Sequence, residues 1–181
     1  FDYGMDMLAC LWIAVDYEGN AYVYKELNVP DLIISAACER IRLRNGDDEI
    51  ACTYAPSDLW SRSQETGRSR AEIFAENGLP LVEVKAGRIA GWYALREYLK
   101  AVPRSDGRMS SRLKIFEDCR LLIRHLSEIQ YDEKDVEDAA TEPHDLTHNV
   151  DALRYFCVSR PCLPQEARVP RYLKDVEDYD E

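Results

Sequence analysis

The segment HDLTHNVDALRYF (144–156) sets His148 and Asp151 three residues apart, a spacing that shares one face of an α-helix. Wound at 3.6 residues per turn, Leu146, Val150, Leu153 and Cys157 form an apolar stripe, with His148, Asp151 and Tyr155 opposite. An imidazole beside a carboxylate can hold or transfer a proton near neutral pH. Two further acids sit at telling places: Asp2 at the entrance of an apolar run, and Asp58 a few residues beyond a second strand-like segment. Strand ends are where open α/β sheets build their sites. Carboxylates gathered from separate elements suit two-metal phosphodiester hydrolysis, which holds its ions about 3.5–4 Å apart. Oxygen ligands suit Mg²⁺ or Mn²⁺.

Each of these residues also has a plainer explanation. Asp2 fits a solvated strand end, Asp58 a turn acid or helix cap, and an HxxD pair fits a polar face in water. Asp6 is close enough to Asp2 to compete for its role, and Glu26 is a weaker ligand candidate. Asp16 belongs to a turn, and His144 with Asp145 to the entry of the late helix. The residues alone leave these alternatives open.

The elements that must position the acids follow from pattern. MLACLWIAV (7–15) is too uniformly apolar for a half-exposed strand, so it predicts one covered on both faces. DYEGN turns the chain into the alternating AYVYKEL (21–27), giving a hairpin. Pro30 and Asp31 are expected to open a helix over DLIISAACERIRLR that stops at Asn45-Gly46. EIACTYA (49–55) predicts a strand, LPLVEV (79–84) another, and RLKIF a short one. Ser69 and Glu72 form a capping box for RAEIFAEN, stopped by Gly78. Helices are expected over 89–100, EDCRLLIRHLSEI and 148–157, with Thr147 as N-cap of the last. Residues 102–111 and 131–145 are expected to be irregular. This order predicts a mixed sheet with helices on its faces.

At 181 residues the chain suits one domain with a real core. No stretch reaches the roughly 20 apolar residues of a membrane span. Phe1 opens inside a patterned segment with no initiator Met, so an excised piece of a longer protein is expected. The six cysteines contain no CxxC pair, which excludes zinc-finger spacing and favours buried thiols in a reducing compartment. A net charge of −11 argues against nonspecific nucleic-acid binding by charge alone. It is compatible with a carboxylate site that awaits divalent ions. Arg62, Arg68, Arg70, Lys85 and Arg88 bracket Asp58 and suit either phosphate contacts or surface pairs with Glu65, Glu72 and Glu83.

Taken in order, FDYGMDMLACLWIAVDYEGNAYVYKE, YAPSDLWSRSQETGRSRAEIFAENGLPL, RIAGWYALREYL, IFEDCRLLIRHLSEIQYDEK and TEPHDLTHNVDALRY resemble the C-terminal nuclease domain of phage terminase large subunits. These are the DNA-packaging motor proteins of tailed bacteriophages and prophages. The resemblance runs from Phe1 to about Phe156, and its closing HNVDALRY is specific. Thr147 stands before the histidine where many relatives carry an acid.

The resemblance implies an α/β, ribonuclease H-like mixed sheet flanked by helices on both faces. It implies a single nuclease domain over 1–181, ending in an acidic tail at about 174–181. The implied activity is metal-dependent cutting of concatemeric double-stranded viral DNA during packaging, with little sequence specificity. Asp2, Asp58 and Asp151 would hold two divalent ions, Mg²⁺ or Mn²⁺, and His148 would join them in catalysis. Implied partners are double-stranded DNA and, in the longer protein, an ATPase domain, the small terminase subunit and the portal. The isolated domain is expected to be a monomer working in the cytoplasm of the bacterial host. No GxxxxGK[ST] loop occurs, so this piece is not expected to bind ATP. The alternatives are another ribonuclease H-like enzyme, such as a junction resolvase, and a noncatalytic module that docks motor to portal.

Overall fold

The apolar run at 7–15 does lie between two layers of helices. In the computed structural model, which describes residues 1–4, 6–103 and 107–160, the chain begins β1 (Asp2–Tyr3), β2 (Met7–Val15), β3 (Ala21–Pro30) and α1 (Ile34–Asn45). It continues β4 (Tyr54–Pro56), α2 (Arg70–Glu76), β5 (Val82–Val84), α3 (Arg88–Leu99), β6 (Val102–Pro103) and β7 (Met109–Ser110). It ends β8 (Leu113–Ile115), α4 (Arg120–Glu128) and α5 (Thr147–Ser159). Cys162 and the acidic tail lie outside the described residues.

The main sheet runs β1-β2-β3-β8, antiparallel except for the parallel β3–β8 pair. β4 and β5 form a separate parallel pair. Alternation along β2 divides the core. Leu8, Cys10 and Trp12 pack with Ala37, Cys38 and Ile41 of α1 and Phe74 of α2. Leu11 and Ile13 point the other way, toward α3, α4 and α5. Trp12 pairs with Lys25 while Ile13 pairs with Val23, leaving Tyr24 as an extra residue. Such a bulge reverses the side-chain alternation of one strand. Val23 therefore joins the α3–α5 layer, and both Tyr24 and Leu27 pack on the α1 side.

The departures from the expected elements have local causes. β3 continues through Pro30, whose partner is Met7, and Asp31 follows at φ 55°, so α1 starts only at Ile34. The strand expected over 49–55 is reduced to Tyr54–Pro56 because its partner β5 is three residues long. Residues flanking 104–106 pair as β6 and β7 where a plain loop was expected. The Ser69–Glu72 capping box is present in both directions. Thr147 is not an N-cap: it is the first helical residue, and its hydroxyl donates to the carbonyl of His144.

α5 also departs from a helix with one wet face. His148, Asn149 and Arg154 are buried along with its apolar stripe, because α5 lies between β1, β2, β4, α3 and α4. Phe74 fixes the start of the sheet, its ring 5.3 Å from Phe1 and 5.0 Å, edge-on, from Tyr3. Phe74→Ala should therefore cost about 3–5 kcal/mol of stability, measured by urea denaturation.

Candidate active site

Asp2 pairs with Ala9 across the β1–β2 ladder, and residues opposite each other share a face of the sheet. β1 packs beside α5. The Asp2 carboxylate accordingly meets His148, whose Nδ1 donates to Asp2 Oδ2 at 2.8 Å. His148 Nε2 lies 3.2 Å from Asp6 Oδ2, and His144 Nδ1 lies 3.0 Å from the same oxygen. The two imidazole rings meet edge to face at 4.5 Å. Gly4 lies at the return from β1 to β2: its N–H donates to the Met7 carbonyl, and a Cβ there would fall 2.6 Å from Asp6 Oδ1, so the Asp6 side chain would have to shift. Asp6, His144 and His148 form a group that could hold a metal ion, with one ligand atom from each and all three within 4.8 Å of one another.

Asp151 lies one turn further along α5. Its Oδ1 accepts from Arg154 Nε at 2.9 Å, and its Oδ2 lies 3.7 Å from Arg88 Nη1. Arg154 is buried, runs across Gly91 of α3 and lies over the rings of Trp92 and Tyr155. Arg88 is itself held by both oxygens of Asp138 at 3.1 Å and by the carbonyl of Ala139. Asp58 sits in the 3₁₀ turn Ser57–Trp60 that follows β4, exposed and paired with Arg70 at 2.7 Å.

β1, β4 and α5 adjoin one another, so the elements carrying Asp2 and Asp151 meet the strand that leads into the turn of Asp58. Tyr155 lies on the same helix as Asp151. Burial pushes its phenol up, and the negative charges of Asp2, Asp151 and Asp58 push it further. Burial likewise raises the Asp151 carboxyl, against the pull of Arg154 and Arg88. The hydrogen bond to Asp2 holds the His148 imidazolium above its usual range against the effect of burial. For Asp6, desolvation is outweighed by its own backbone N–H and by the two histidines, and its carboxyl falls below the usual range.

Other acids find structural roles. Glu26 accepts the N–H groups of Leu121 and Leu122 at the start of α4, both at 2.9 Å, so it is a helix cap. Asp16 closes the β2–β3 turn through Glu18 and Asn20. Arg62 and Arg68 pair with Glu72 and Glu76 of α2, and Lys85 pairs with Glu83. Arg154 went unnoticed in the sequence, although it stands three residues after Asp151 and thus on the same face. A cavity of about 540 Å³ lined by Trp12, Tyr24, Ile41, Tyr54, Phe156 and Arg160 includes none of these acids.

No known family profile and no curated protein matches the sequence. A solved structure does. The chain is similar to the g2p (large terminase) nuclease domain from the bacteriophage SPP1, determined with bound Mn. The TM-score is 0.55 at 20% identity, over 86% of this chain and 80% of that one. The fold is that of a terminase nuclease domain. It is α/β and ribonuclease H-like, with the helix layers on both faces of the sheet that the sequence led us to expect.

The contacts around Asp138 make the α3–α5 side of the site sensitive to acid. Desolvation favours the neutral form of Asp138, but the indole N–H of Trp92 (2.6 Å), the Ala139 N–H and Arg88 outweigh it and lower its carboxyl. A lowered folded-state value gives stability that is present above the ordinary carboxylate range, about 3.9, and lost as pH falls through the lowered value. Asp138→Asn should therefore cost on the order of 1–3 kcal/mol at pH 7. The gap to wild type should close below about pH 4, as urea titrations across that range would measure.

Proposed function

We propose that the chain is the metal-dependent endonuclease domain of a phage packaging terminase, cutting concatemeric double-stranded DNA with little sequence preference. What supports this is that β1, which carries Asp2, α5, which carries Asp151, and β4, which leads into the turn of Asp58, adjoin one another. That grouping occurs in a fold similar to a terminase nuclease domain whose structure holds Mn.

The donor set fits divalent ions. Each of the three carboxylates has a basic partner in the chain: His148 on Asp2, Arg70 on Asp58, Arg154 and Arg88 on Asp151. Buried or crowded acids need such compensation. Asp2, Asp58 and Asp151 would hold two ions, Mg²⁺ or Mn²⁺, which when bound supply an activated water and stabilise the leaving oxygen. Arg70 and Arg88, already beside the acids, are placed to turn to phosphates once the carboxylates are otherwise engaged. His148 orients the Asp2 carboxylate through Nδ1 and holds a proton between Asp2 and Asp6.

We take the nuclease domain to span 1–181, including the acidic tail, with an ATPase domain, the small terminase subunit and the portal as its partners. It would work as a monomer unit in the cytoplasm of the bacterial host. No described helix is long and apolar enough to cross a membrane.

A plasmid-nicking assay with Mn²⁺ tests the activity. Wild type should nick and linearise supercoiled DNA, and Asp58→Asn should lose that activity while remaining folded. Equal cutting by Asp58→Asn would contradict the site, and preference for four-way junctions over duplex would favour a resolvase. At saturating Mn²⁺, His148→Ala should cut about 10²–10⁴-fold more slowly. Full activity in that variant would remove His148 from the chemistry.

A further inference from the structure

We propose that Asp6, His144 and His148 form a metal site, one that takes nitrogen-preferring divalent ions such as Zn²⁺ or Co²⁺. This site shares His148 with the proposed nuclease machinery but differs in chemistry from the all-carboxylate set of Asp2, Asp58 and Asp151. Two imidazoles and one carboxylate are borderline-soft donors that suit Zn²⁺ or Co²⁺ better than Mg²⁺.

Three features of the cluster point to a metal. Both imidazoles address the same oxygen: Asp6 Oδ2 lies 3.0 Å from His144 Nδ1 and 3.2 Å from His148 Nε2. The ligand atoms of the three residues lie within 4.8 Å of one another, close enough for one ion to touch all three. Most telling is the far side of the His148 ring, which is buried and bonded through Nδ1 to Asp2. Metal-binding histidines characteristically donate their other nitrogen to a carboxylate, which fixes the ring and leaves the outer nitrogen to carry the lone pair. Here that outer nitrogen is Nε2, and it faces Asp6.

Access is asymmetric. His148 is 6% exposed at its side chain, whereas Asp6 and His144 are each 56% exposed. An ion would enter from the solvent side, taking three protein ligands and leaving a position for water. A metal on Nε2 also excludes a proton there, so metal loading and the protonated form of His148 are alternative states of one ring.

Titration of the protein with Co²⁺, followed by visible absorption, reads the coordination sphere without any DNA. Wild type should develop the bands of a nitrogen-containing, low-coordinate site, and excess Mg²⁺ should leave them in place. His144→Ala and Asp6→Ala, both at exposed positions that the fold should tolerate, should each weaken Co²⁺ binding at least about tenfold. Asp58→Asn should leave the bands unchanged while removing nicking, which separates this site from the nuclease set. Undiminished Co²⁺ affinity in His144→Ala, or displacement of the bands by Mg²⁺, would overturn the proposal and leave the cluster as a His–Asp ion-pair network.

Discussion

Negative charges gathered at one place repel one another, and the interior of this protein is arranged around that cost. Asp2 and Asp6 both meet His148 of α5, the helix that also carries Asp151, while Asp151 and Asp58 pair with arginines. These cations are themselves held. Arg154 is confined between Gly91, Trp92 and Tyr155, and Arg88 is gripped by Asp138. Removing one partner of a buried pair typically costs 3–5 kcal/mol because the other charge is left uncompensated. The packing of α3 on α5 and the state of the acids are therefore one problem.

That constraint explains why α5 is buried nearly all round. An amphipathic helix at a surface needs one apolar stripe. A helix that carries His148, Asp151 and Arg154 inward must be enclosed by elements that complete their hydrogen bonds. β1 supplies Asp2 to His148, and α3 supplies the Arg88 that reaches Asp151. The sheet's two-sided core makes this possible, because the face of β2 that carries Leu11 and Ile13 packs toward the layer containing α5.

Much of the scaffold was legible in the sequence, and the reasons are local. The uniform apolarity of 7–15, the capping box at Ser69 and Glu72, and the helical periods of α3 and α4 depend on neighbours in the chain. What escaped depends on contacts between distant residues. Thr147 has the right chemistry for a cap, yet the preceding 3₁₀ turn His144–Leu146 continues into the helix and removes the position. Glu26 resembled a ligand until α4 placed two unpaired N–H groups over it. Asp6 and His144 stand 138 residues apart, so no spacing rule could join them, although each was noticed alone. The HxxD spacing did put His148 and Asp151 on one helix, while the arginines that hold Asp151 became visible only in three dimensions.

The central claim is that the compensating cations stand in for divalent ions at Asp2, Asp58 and Asp151. Anomalous diffraction from a crystal soaked in Mn²⁺ tests it most directly. The account predicts Mn²⁺ peaks within about 2.0–2.6 Å of oxygens from these three aspartates, with the Arg70 and Arg88 guanidiniums withdrawn from them. Saturating Mn²⁺ that leaves Asp58 on Arg70 and Asp151 on Arg88, with no peak between the acids, would contradict it.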